Sequence, residues 1–173
     1  MADHGPEHDG SPGREPIAAR RTDYAGAVYG SLLAASVVAG AGTLGSFPRF
    51  KLVLLLIGTG VVFWAAHVYA RLVGDRLVHQ SLSRRGIRRV CADEWPIVQA
   101  AVPPAVAVAV SPLLGIGPDG AAWLGLSVAA AEQVGWASVA VVRAGAPRHL
   151  VLVAGAVNLL LGLIIVALKA SLH

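Results

Sequence analysis

The stretch AAWLGLSVAAAEQVGWASVAVV, residues 121–142, decides the fold. It is as long as the ~20 apolar residues that carry a helix across the hydrocarbon core of a bilayer. Inside lipid a backbone must satisfy its own polar groups, so a lone apolar run of this length is a helix and not a strand. Its one ionisable residue, Glu132, stands at its centre. A carboxyl at that depth is costly and belongs on a face turned toward other helices. The stretch therefore predicts a bundle of spans.

Four more runs of similar length complete the bundle. The expected spans are 24–45, 51–73, 96–116, 121–142 and 149–172, in one domain covering 23–173. The whole chain agrees: of its 173 residues 55% are hydrophobic and only 14% are charged. Too little charge is present to cover a soluble domain of this size. The fold class read from the sequence is all-α integral membrane, a five-transmembrane-helix bundle. The links SFPRFK, GPDG and RAGAPR are short, which makes neighbouring spans antiparallel.

Residues 1–22 are rich in Gly, Pro and charge and have no apolar periodicity. Such a segment buries too little to offset its ordering entropy, so a disordered cytoplasmic tail is expected. The apolar run after it is too long for a signal-peptide core, and no A-x-A-type site precedes the next polar segment. Positive charge sets the orientation. With the N-terminus in the cytoplasm, that side holds Arg14, Arg20, Arg21, Arg71, Arg76, Arg84, Arg85, Arg88, Arg89, Arg143 and Arg148. Only Arg49, Lys51 and Lys169 fall outside. The C-terminus then lies outside as well. Arg far exceeds Lys amid abundant Ala, Gly and Val, a composition that points to a GC-rich bacterial genome and a multi-pass plasma-membrane protein.

The loop 74–95 carries the densest charge, Arg84, Arg85, Arg88 and Arg89, which anionic headgroups attract by about 1 kcal/mol per residue near the surface. The apolar residues Val73, Leu77, Val78 and Leu82 predict that the second helix continues past the membrane toward Gly86. No aromatic residue or recognisable fold surrounds RRGIRRV, so nucleic acid is not an expected partner. In the third span, Pro103 and Pro104 remove two backbone donors, and a kink is expected near Pro103. Pro96, after Asp93 and Glu94, fits the first turn of a helix.

Three polar residues lie deep in the spans: Glu132, Asn158 and His67. Glu132 and Asn158 sit near the midpoints of their segments, and His67 is about five residues, or ~7 Å, past the middle of its own. Around Glu132 the helical neighbours include Gly125, Ala129, Gly135 and Trp136; around Asn158 they include Ala154, Gly155 and Gly162. Small residues mark close helix contacts in membranes. This predicts that Glu132 and Asn158 meet. On the second span Trp64, His67, Arg71 and Asp75 share one stripe, with Arg71 snorkelling to the headgroups. Gln99 and Gln133 are the supporting polar groups. Gly26 and Gly30 give the first span a GxxxG spacing, read as helix packing within the bundle.

No phosphate loop, H-E-x-x-H, Cys–His cluster or nucleophile elbow occurs, and Cys91 is the only cysteine. No enzyme, cofactor or metal is therefore expected. Two functions fit the polar cluster. One is proton- or cation-linked transport through Glu132, Asn158 and His67, as a homo-oligomer because five helices make a thin wall. The other is an accessory subunit or scaffold in which the cluster only clasps helices. Under either function, a reporter fused after His173 reads out as external; a cytoplasmic readout overturns the orientation.

Overall fold

A computed structural model of the chain describes the backbone of residues 15–42, 48–77 and 83–171, and the side chains of these except at 15–23, 42 and 75–77. All regular structure among the described residues is helical. Five stretches are long and apolar enough to cross a membrane: Tyr24–Ala41, Arg49–Gly74, Arg84–Leu114, Pro118–Arg143 and Arg148–Ser171.

The first helix, α1 (Glu15–Gly42), begins inside the segment expected to be tail. Pro16 in its first turn needs no donor there, and Ala18, Ala19, Arg20 and Arg21 all favour helix. The rest of the expected tail, residues 1–14, lies outside the described residues. The second helix, α2 (Arg49–Leu77), does not run on to Gly86. Ser83 starts a new helix, α3 (Arg84–Asp93), by accepting the Gly86 N–H at 3.0 Å from an extended backbone. Its four arginines are exposed while Val90 is buried.

The third span is built in pieces. After α3 come α4 (Pro96–Gln99), α5 (Val102–Val110) and a 3-10 turn, Ser111–Leu114. The break falls at Ala100–Ala101, one turn before the expected kink. Pro103 and Pro104 cannot donate to the carbonyls of Gln99 and Ala100, so the α-helix restarts with both prolines in its first turn. The last two helices are α6 (Pro118–Arg143) and α7 (Arg148–Ser171). Two tight turns join these pieces. At each, a left-handed glycine, Gly115 or Gly145 (both φ 69°), closes the preceding helix. The paired bonds Ile116 N–H to Ser111 O and Ala146 N–H to Val141 O complete both caps.

Helix α1 is the axis of the bundle and packs against α2, α4, α6 and α7. Its buried residues are small: Ala27, Gly30, Ser31, Ala34, Ala35, Val38 and Ala41. The broken third span wedges between two glycines. A Cβ at Gly30 would lie 2.8 Å from the Ile97 carbonyl oxygen, and one at Gly60 would lie 3.2 Å from the Ala101 Cβ. Gly26 is looser, 3.6 Å from an Ile97 side-chain carbon. At the other extreme, α7 buries only Gly162 and Lys169. Arg49 ties the start of α2 to the end of the third span: Nε donates to Ser111 Oγ at 3.1 Å and Nη2 to the Ile116 carbonyl.

The contact at Gly30 is against backbone, which cannot yield. Gly30→Val is expected to cost about 1–3 kcal/mol of overpacking, a fall of roughly 2–4 °C in apparent Tm per kcal/mol for a chain of this size. Gly26→Ala should leave the melting curve in detergent unchanged. Equal effects of the two substitutions would refute the assignment of Gly30 as the tight point.

Candidate functional site

The buried face of α6 is a ladder of small residues at four-residue spacing, Ala121, Gly125, Ala129, Gln133 and Ala137. Its polar member is Gln133, which is 0% exposed. Gln133 Nε2 donates to Asn158 Oδ1 at 3.3 Å, and Asn158 Nδ2 donates in turn to the Ala154 carbonyl at 2.9 Å. Asn158 therefore pairs with Gln133 and not with Glu132. One residue along a helix turns the side chain by about 100°, enough to move Glu132 off the α7 side while keeping its depth.

Glu132 is half-buried on the adjacent flank. Trp136 Nε1 donates to its Oε1 at 2.9 Å, across one turn of the same helix. Its other oxygen, Oε2, is buried with no hydrogen-bond partner among the described residues. Gln133 Oε1 is buried and unpartnered as well. From Trp136 a chain of polar aromatic contacts runs to the end of the bundle. Trp136 lies 6.1 Å from the Tyr24 ring of α1, and Tyr24 holds the Arg143 guanidinium by its hydroxyl and, at 5.6 Å, over its ring face. These three residues, with Trp95 and Gln99, line a cleft of about 600 Å³ between α1, the start of the third span and α6.

His67 does not join this group. It packs against the Tyr29 ring of α1 at a tilt of 51°, centroids 5.1 Å apart, and its Nδ1 donates to the Phe63 carbonyl at 2.9 Å. Axis helix α1 lies between α2 and α6 at this level. Of the other stripe residues of α2, Trp64 and Arg71 serve the contact with the third span, while the Asp75 side chain lies outside the described residues. Arg71 does not snorkel away: it forms a 2.6 Å ion pair with Glu94, which is only 6% exposed. Trp64 donates to the Cys91 carbonyl at 2.9 Å and meets Trp95 edge-on. The Arg71 side chain is 40% exposed, so the ion pair itself contributes modestly, and it joins Trp64 in tying α2 to the junction of α3 and α4.

The glycines divide as well. Gly125 is buried against Val108, and Gly162 faces Ala130 at 3.5 Å. Gly155 meets Ser138 Oγ at 3.5 Å. Gly135 is exposed with nothing within 4 Å, so it marks no helix contact. Lys169, counted above as an outer charge, is 1% exposed. Its Nζ points at the Val38 carbonyl (3.4 Å) and sits 5.5 Å over the Trp123 ring. Glu94, Tyr24 and Lys169 are the polar positions the sequence reading passed over. For Lys169 a signal existed, since Gly162 and Lys169 lie seven residues apart on one face.

No group of three or more His, Cys, Asp or Glu able to hold a metal occurs among the described residues. No protein-family profile matches the chain, and comparison with curated proteins and with solved structures finds no match either.

The amide pair predicts a measurable coupling. In a double-mutant cycle of Gln133→Leu and Asn158→Leu, read by unfolding in mixed micelles, the interaction energy should be about 0.6–2 kcal/mol, the range of interhelical hydrogen bonds. The same cycle on Glu132 and Asn158 should give none. A coupling confined to the second pair would contradict the arrangement.

Proposed function

We propose that the chain is a multi-pass protein of the bacterial plasma membrane, N-terminus inside and C-terminus outside, that carries out proton- or cation-linked transport at Glu132. The observation behind this reading is the second carboxyl oxygen of Glu132. Ionised, Oε2 lacks a donor; protonated, its O–H lacks an acceptor, since no group among the described residues pairs with it. A buried polar atom left this way costs about 1–3 kcal/mol or more. A cation satisfies the ionised oxygen and water satisfies either form, and intramembrane ionisable groups mark such pathways. Trp136, which holds Oε1, also lines the cleft that opens at the arginine-rich end. His67 and Asn158 drop out of the proposed pathway, the first because of its place on Tyr29, the second because of its bond to Gln133.

A second reading has its own support. The Gln133–Asn158 pair and the sparse burial of α7 suit an accessory subunit whose last helix rests on a partner. Flux separates the two. Purified protein in proteoliposomes should dissipate an imposed proton or alkali-cation gradient, and Glu132→Gln should abolish this with expression and elution volume unchanged. Absence of flux in the wild type, or full flux with Glu132→Gln, would remove the transport reading. In the accessory reading Glu132→Gln is silent, while Glu132→Leu lowers stability.

A further inference from the structure

A second cavity shares Tyr24 with the cleft. It is a groove of about 870 Å³ between α1, α6 and α7, open to the side. Its walls are aliphatic, with Val28 and Leu32 on α1, Val141 on α6, and Leu150, Val153 and Leu161 on α7. Gln133 and Asn158 stand at its inner end. Its other end is the turn after α6, where Ala144, Ala146 and Leu150 line it; the flanking Arg148 is exposed, and so is Arg143, whose guanidinium is held at Tyr24, itself a lining residue.

The dimensions choose the occupant. From Leu150 to Leu161 on α7, and from Gln133 to Ala144 on α6, the groove runs eleven residues, or ~16 Å. That is one half of a ~30 Å hydrocarbon core. A partner helix would need a groove along the whole span. An acyl chain entering from one leaflet needs only half of it and ends near the midplane, where the amides stand. The two arginines at the mouth complement an anionic headgroup, whose attraction to each basic residue near the surface is worth roughly fivefold in affinity. We infer that this groove is a binding site for one anionic phospholipid, with an acyl chain between α1, α6 and α7 and its headgroup at Arg143 and Arg148. The site is separate from the basic helix α3.

Native mass spectrometry of the full chain, titrated in detergent with phosphatidylglycerol or phosphatidylcholine, tests this. One phosphatidylglycerol should be retained in preference to phosphatidylcholine. Arg143→Gln with Arg148→Gln should weaken it about tenfold or more. Val153→Trp, which fills the groove from a half-exposed position, should abolish it. Leu152→Trp, its neighbour on the outward face (73% exposed), should not. Gln in place of Arg84, Arg85, Arg88 and Arg89 together should leave the tight site in place. Equal retention of both lipids, or loss of selectivity only in the α3 variant, would overturn the site. A changed oligomeric mass in Val153→Trp with lipid retention intact would overturn it too, in favour of a second copy covering the groove.

Discussion

Between helices as apolar as these, burying one side chain against another gains little that lipid does not already provide, so association depends on how closely backbones approach. The closest approach of a glycine to the backbone of another helix, among the described residues, is at Gly30, where α1 meets the Ile97 carbonyl and the Ala100 methyl. Gly60 of α2 admits the same turn from the other side. The two glycines hold the piece of the third span that Pro103 and Pro104 deprive of helical donors. Sequence, break and packing are one arrangement here. A proline pair irregularises the backbone, and the glycines let two neighbours close on it. Helix α7 is the contrast: its long aliphatic side chains hold it off, except at Gly162 and Lys169.

The axis helix then dictates where polar groups go. From Tyr24 to Gly42 it carries no ionisable group except its two tyrosines, and its small residues leave carbonyls and ring faces accessible to its neighbours. His67 of α2 packs at a tilt against Tyr29, Trp136 of α6 meets Tyr24, and Lys169 of α7 reaches the Val38 carbonyl. Each neighbour brings its polar group to a different height on α1. This is the physical reason why residues of matching depth in the sequence do not converge. They are separated around the axis, and α1 occupies the space between.

Depth and length were legible in the sequence; azimuth was not. Five apolar runs of spanning length leave few alternatives, and the Gly–Pro turns at Gly115 and Gly145 mark ends by their own chemistry. The direction a residue faces is harder to read in helices that are apolar all round, because no polar face declares the outside. Glu132 has small neighbours at Gly125 and Ala129, but so does Gln133, and its run of small residues at every fourth position is the longer. Gly135 was misleading for the same reason: a small residue permits close packing without requiring it. Ser83, whose cap begins a new helix, competed with an apolar periodicity that ignored capping. Arg71 illustrates a further limit, since snorkelling is the default only until a carboxylate such as Glu94 lies within reach.

The adjacency of Glu132 and Gln133 bears on function. An amide pair such as Gln133–Asn158 needs no proton to form and is a sufficient clasp between α6 and α7. That role is filled one residue away, so holding α7 does not account for the carboxyl. Trp136 satisfies one of its oxygens and would do the same for a glutamine at that position. What a glutamine lacks is a group that gains and loses charge, and that is the property the unpartnered Oε2 leaves exposed to whatever enters. A route from outside the bundle to that oxygen has no help from His67, which α1 holds apart. Under the proposed transport it follows α6 instead, past Trp136 and Tyr24 to Arg143, along the cleft lined by Trp95, Pro96 and Gln99 at the start of the third span.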